Sequence, residues 1–151
     1  MLKDWNKVEQ PTAEEADKRL ANAKNSLLQQ QIAMKEKKLP VIVLLEGWGA
    51  AGKGSVLGKL IKNIDPRFFK VAVMDEPTEE EKRKPFLYRH FVKIPEAGKF
   101  VFMDSGWMSE VTSQKLSGEL SEEEYKKRIE SIKRFERQLT DNGYLLLKFF
   151  F

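Results

Sequence analysis

The sequence predicts an α/β fold in which a parallel sheet is covered by helices on both faces. Short apolar runs alternate with segments of helical period along the chain, which is the pattern of parallel strands joined by crossover helices. The run Val41 to Leu45 is continuous and β-branched, as expected of a strand buried on both faces. A glycine-rich turn, Glu46 to Gly54, joins that run to a helical segment, so strand, turn and helix follow in immediate succession.

Composition narrows the chemistry. The 151 residues suit one domain with one core, and 41% hydrophobic with 11% aromatic residues supply a packed interior. Lys and Arg number 27 against 23 Asp and Glu, a formal charge of +4 that suits anionic ligands without implying nucleic acid. The lack of cysteine excludes disulfides, thiolate metal sites and cysteine nucleophiles, and the single histidine, His90, argues against a Ser-His-Asp triad. No stretch reaches the roughly 18 apolar residues of a membrane span, and Met1 to Gln10 is polar, without the apolar centre of a secretory signal. The expected location is the cytoplasm.

Residues 1–38 read as a polar start followed by one long amphipathic helix over Pro11 to Lys38, with Leu20, Ala23, Leu27, Ala33 and Met34 near helical spacing and Thr12 with Glu15 in a capping box. Residues 39–151 form the core of the domain. Leu39-Pro40 ends the helix and Val41 to Leu45 is the first strand. Ser55 to Asn63 returns to helical spacing and Asp65-Pro66-Arg67 stops it, before a second strand at Phe69 to Met74. Glu79, Glu80 and Glu81 favour the positive end of a helix that Pro85 bends or restarts. Lys99 to Met103 is a third apolar run ending at Asp104. Ser121 and Glu124 cap a helix that ends at Asn142-Gly143, with Tyr125, Ile129, Ile132, Phe135 and Leu139 along one face. A fourth run, Tyr144 to Phe151, would be a core strand with nothing after it to cover it. The fold is therefore expected to be truncated after that strand and to aggregate or dimerise through it.

Gly47-Trp48-Gly49-Ala50-Ala51-Gly52-Lys53-Gly54 matches G-x-x-x-x-G-K, the first seven places of the Walker A phosphate turn. Glycines there let backbone N–H groups close on phosphate oxygens at a helix start, and Lys53 supplies a point charge. Gly47, Gly49, Ala50, Ala51, Gly52, Lys53, Gly54 and Ser55 are the candidate phosphate-binding residues. Gly54 stands where Ser or Thr would hold magnesium, with Ser55 one step later. Asp104, at the end of an apolar strand, has the context of a Walker B carboxylate; a strand-end cap is the other reading. The architecture is then a three-layer P-loop NTPase or kinase-like fold.

These residues and their surroundings resemble the polyphosphate kinase 2 family, P-loop phosphotransferases that move phosphoryl groups between inorganic polyphosphate and nucleotides. The resemblance runs over roughly residues 12–151 through Glu46-Gly47-Trp48, Ala50 to Gly54, Asp65-Pro66-Arg67, Pro77 to Glu81, Leu87 with Arg89, Pro95 with Ala97-Gly98, Asp104 with Trp107, and Phe135 to Leu139 before Gly143. Two places depart from it. The family's turn usually carries Asp where this chain has Gly49, and its second motif reads Asp-Arg-Ser-Trp-Tyr where this chain has Asp104-Ser105-Gly106-Trp107-Met108. That pair of departures is similar to the first of two tandem domains in the polyphosphate:AMP phosphotransferase branch, whose second domain is taken to carry catalysis.

The resemblance implies a Mg-dependent transfer from polyphosphate to AMP giving ADP, with Lys53, Asp104 and Arg89 as catalytic residues and Asp104 as metal ligand. It implies polyphosphate and AMP or ADP as partners, no membrane or nucleic acid, and a second kinase domain or a homo-oligomer. The missing carboxylate and guanidinium leave open a degenerate domain that binds polyphosphate or scaffolds assembly.

Other residues carry two readings each. Lys59, Lys62, Arg67 and Lys70 either guide a phosphate chain or form a solvated face. Asp75 and Glu76 lie at the carboxyl edge where ligands bind in open α/β sheets, or simply make a turn. Trp48 and Trp107 stack on a base or, more in keeping with aromatic residues, pack. His90 is structural or exposed, and Lys126, Lys127 and Arg128 form the wet face of a helix.

Overall fold

A computed structural model describes residues 11–62 and 64–151; the expected polar start, Met1 to Gln10, and Asn63 at the end of the expected second helix lie outside them. Helix α1 (Ala13–Glu36) opens with Thr12 and Glu15 in the reciprocal bonds of a capping box. Strand β1 (Val41–Glu46) leads into helix α2 (Lys53–Ile61). A single 3₁₀ turn, Pro66–Phe68, capped by the Asp65 side chain, precedes strand β2 (Phe69–Val73). Two one-turn helices, α3 (Glu79–Lys82) and α4 (Tyr88–Phe91), lead to strand β3 (Phe100–Asp104). Helices α5 (Trp107–Leu116) and α6 (Glu122–Asp141) then cross to strand β4 (Leu145–Phe150).

The strands form a four-stranded, wholly parallel sheet in the order β2-β3-β1-β4. Strand β1 is central, pairing Leu45 with Asp104 on one side and with Phe149 on the other, which is why every one of its residues is buried. Its alternating side chains feed two cores. Ile42 and Leu44 join Trp107, Val111, Ile132, Phe135 and Leu139 from α5 and α6. Val41, Val43 and Leu45 join Leu57 of α2, with Leu27 and Met34 of α1 against them. The three-layer α/β architecture expected from the sequence is therefore present.

The structure departs from expectation in three places and agrees with it at the last strand. Helix α2 starts at Lys53 rather than Ser55, because Gly52 in the left-handed region already turns the chain. Helix α5 was not expected at all. Helix α1 buries Gln31 but leaves Leu20, Leu28 and Ile32 exposed. Its 24 residues run about 36 Å, longer than a six-residue strand of about 20 Å, and residues 13–26 are all exposed. Strand β4 pairs only with β1 and exposes Leu145, Leu147, Phe149 and Phe150, the last by 75%. It is the exposed apolar edge that the sequence leads one to expect.

Candidate phosphate-binding site

From β1 the chain passes through α2 to β2 on one side, and from β3 through α5 and α6 to β4 on the other. The order reverses between β1 and β3, and ligands in open α/β sheets bind at the carboxyl ends of strands at such a point. Residues 47–52 after β1 and the Ser105-Gly106 turn after β3 flank it. A cleft of about 710 Å³ runs across this edge from Met74, Asp75 and Glu76 to Lys148, Phe149 and Phe150. It adjoins a second hollow of about 530 Å³, lined by Ala50 to Ser55 together with Asp104 and Ser105.

The loop is shaped by backbone demands. Gly47 has φ +132°, and a Cβ there would lie 2.3 Å from the Phe151 carbonyl oxygen, since the Phe151 N–H donates to the Glu46 carbonyl at 3.0 Å. No side chain caps α2, so its first amides open into the hollow. The Lys53 ammonium donates to the Gly47 carbonyl at 3.1 Å and to the Trp48 carbonyl at 2.9 Å, which folds it over the loop. Gly49 has nothing within 4 Å of a prospective Cβ, so the space for an aspartate exists although the residue does not.

Asp104 closes β3, and the Ser105 N–H extends the ladder to the Leu45 carbonyl at 3.1 Å. Ser105 itself has φ +64°. Asp104 and Ser55 thus line one hollow, and Lys53 lines both. Among the described residues no group of three or more His, Cys, Asp or Glu gathers. A lone carboxylate beside a hydroxyl still fits magnesium, a hard cation that keeps waters and takes phosphate oxygens.

Arg89 lies on the wall of the larger cleft, 5% exposed. Its guanidinium donates to the Asp75 carbonyl and lies 3.8 Å from a Glu110 carboxylate oxygen. The same oxygen is 3.1 Å from Nε2 of His90, which is fully buried and meets Trp107 edge-on. Trp107 packs in the core and donates its indole N–H to Glu136 at 2.8 Å, whereas Trp48 is 66% exposed at the cleft. Glu136 also receives Lys148 at 2.8 Å.

The remaining charges resolve simply. Lys82 and Lys84 pair with Glu79 and Glu80 on the surface. Asp65 accepts from the Arg67 side chain and backbone, bonds that lower its carboxyl from 3.8 to about 2. Lys126 and Lys127 are wet, each paired with a glutamate one turn earlier. Arg128 is not: it donates to Gln114 at 2.5 Å and lies over the Phe86 ring, bracing α6 against α5.

Sequence reasoning gave no role to Glu46, Ser109 or Glu110, all of which line the cleft. The available signal was Glu46, a carboxylate closing an otherwise apolar strand.

A family model, Polyphosphate kinase 2 (PPK2), matches residues 10–151. The chain belongs to the polyphosphate kinase 2 family. It is 34% identical over 113 residues to a polyphosphate:AMP phosphotransferase of Pseudomonas syringae pv. tomato, covering 75% of this chain and 23% of that protein. It is 31% identical over 133 residues to an ADP-polyphosphate phosphotransferase of Rhizobium meliloti, covering 88% of this chain and 47% of that one. A crystal structure of a polyphosphate kinase 2 from Pseudomonas aeruginosa superposes with a TM-score of 0.88 at 30% identity, covering 95% of this chain and 31% of the other. One from Arthrobacter aurescens, at 23% identity, shares the fold with a TM-score of 0.86 over 93% of this chain and 52% of the other. The chain thus spans less than half the length of these two curated relatives. Among the described residues no helix is long and apolar enough to cross a membrane.

Proposed function

We propose that this polyphosphate kinase 2 domain transfers the terminal phosphoryl group of inorganic polyphosphate to AMP, giving ADP, with magnesium. The observation that carries the reading is the uncapped start of α2, opening with Lys53 onto the hollow that Asp104 and Ser55 also line. In the reaction an oxygen of the AMP phosphate attacks the terminal phosphorus of the chain. The bond from that phosphorus to the bridging oxygen breaks, and the polyphosphate leaves one unit shorter. Such transfers depend on positioning and on charge stabilisation.

Lys53 leaves the two carbonyls it bonds and bridges phosphate oxygens, while the loop amides hold the donor chain. Asp104 and Ser55 would hold magnesium, which supplies neutralisation of phosphate charge. Arg89, held by Asp75 and Glu110, gives the cleft wall fixed positive charge toward the acceptor. A cytoplasmic setting and association with a second kinase domain or another copy complete the proposal.

A second reading, a binding or scaffolding domain, is favoured by the charges missing at Gly49 and Ser105. One assay separates the two: the full-length protein with polyphosphate, AMP and magnesium, followed for ADP by chromatography. Catalysis predicts ADP that falls about 10²- to 10³-fold in Lys53→Ala, the scale of one lost electrostatic contact to the transition state. A folded protein that retains polyphosphate on a filter yet forms no ADP overturns catalysis in favour of binding.

A further inference from the structure

We infer that Glu46 is a positioning residue: it caps helix α5 from a different strand, and Gly106 is kept free of a side chain to admit it. Helix α5 begins after Gly106, whose backbone is extended and which has no side chain to accept an orphan amide. The amide that an N-cap serine or aspartate would take is that of the third helical residue, Ser109. It donates instead to Glu46 Oε2 at 3.1 Å, and the Ser109 hydroxyl donates to the same oxygen. Cap and helix are 63 residues apart in the chain. The carboxylate also sits at the positive end of the helix dipole, where negative charge is favoured.

Space sets the two positions against each other. A Cβ on Gly106 would lie 2.5 Å from Glu46 Oε1 and 3.0 Å from a Leu44 methyl. A side chain at 106 and the Glu46 carboxylate in its present position therefore crowd one another, and one must shift for the other. Glu46 is 6% exposed, lines the cleft, and its Oε1 has no hydrogen-bond partner. It immediately precedes the phosphate loop, and the helix it caps immediately follows the Asp104-Ser105-Gly106 turn. One carboxylate thus links the end of β1, just before the turn that leads to Lys53, to the helix just after the turn that follows Asp104. The catalytic part of this inference rests on the phosphotransfer reading above; the cap does not.

The test is a swap cycle in the full-length protein: Glu46→Ala, Gly106→Ser, and both together, with Glu46→Gln as the conservative variant. Each of the first two lowers the thermal midpoint by about 3 to 6 °C, the scale of a lost cap or a tight contact in a domain of this size. The double variant returns to within about 2 °C of the parent, because the hydroxyl introduced by Gly106→Ser supplies the cap in the space Glu46 vacates. Glu46→Gln keeps an acceptor for the Ser109 amide and most of the midpoint. Well below all midpoints, kcat in Glu46→Ala falls about tenfold or more with KM for polyphosphate little changed, as a displaced turn predicts, and recovers in the double variant. Additive midpoint losses in the double variant, or no loss in Glu46→Ala, overturn the cap. A recovered midpoint without recovered kcat overturns the positioning role. If the parent forms no ADP, the phosphotransfer reading fails, and the midpoint cycle still decides the cap.

Discussion

Two of the helices that start at the cleft follow a glycine, and they are finished in opposite ways. The first amides of α2 follow Gly52 and meet no side-chain oxygen, so they remain available to an anion. Those of α5 follow Gly106 and are closed by Glu46 from the end of β1. By contrast, α1, α3 and α6 close themselves with the boxes Thr12-Glu15, Thr78-Glu81 and Ser121-Glu124. On the proposed reading, these endings assign the phosphate to the start of α2. A helix start already holding a carboxylate repels a second anion, so of these two termini the proposal gives α2 the anion and α5 the alignment.

Substitutions at either terminus test that contrast. The largest effect on stability is expected from Gly47→Ala, which forces a Cβ into the Phe151 backbone at a positive φ. We expect a loss of about 3 kcal/mol or more, read as a fall of the thermal midpoint by roughly 6 °C or more.

Closing the open terminus should cost binding rather than stability. Gly54, in the first turn of α2, has nothing within 4 Å of a prospective Cβ. Gly54→Asp places a carboxylate at the positive helix end, so the midpoint should hold or rise by about 1 to 3 °C. Polyphosphate retention on a filter should fall about tenfold or more through like-charge repulsion. Unchanged retention would mean that the α2 terminus does not hold the phosphate chain.

A self-contained cap provides the scale. Ser121→Ala removes the acceptor for the Glu124 amide and should cost about 1 kcal/mol, without altering KM for polyphosphate, because Ser121 lines neither hollow. The smallest effect belongs to the exposed clasp of Asp65 and Arg67. Its carboxyl is held at about 2 against 3.8, so its contribution is present above about pH 4 and is lost as pH falls toward 2. The pair is exposed, so salt screens it. Asp65→Asn should flatten that part of an acid-unfolding curve slightly, by less in high salt than in low salt.

Much of this molecule is local in origin and legible as such. The capping boxes are read from residues three apart, β1 from an unbroken apolar run, and the phosphate turn from glycines and a lysine at fixed spacing. The end of β3 at Asp104 and the end of α6 before Gly143 fall within a residue or so of where turn chemistry puts them. Helix α5 was not legible, because the residue that caps it lies in another strand and the residue before its first turn is glycine. The partners of Arg89 and His90 were hidden for the same reason: Glu110 sits on that unforeseen helix. Arg128 was misread because one charged side chain in three turned inward onto Phe86 and Gln114.

The layers, the placement of a phosphate turn between a buried strand and a helix, and the family to which the chain belongs were all present in the order of the residues. Each depends on short-range periodicity or on backbone conformations that few residues adopt. Tertiary packing alone settles which helix start is open and which is closed, and that Glu46 and Gly106 lie against each other. Those outcomes depend on which strands become neighbours, and parallel pairing across crossover helices joins residues whose separation along the chain carries no local signal.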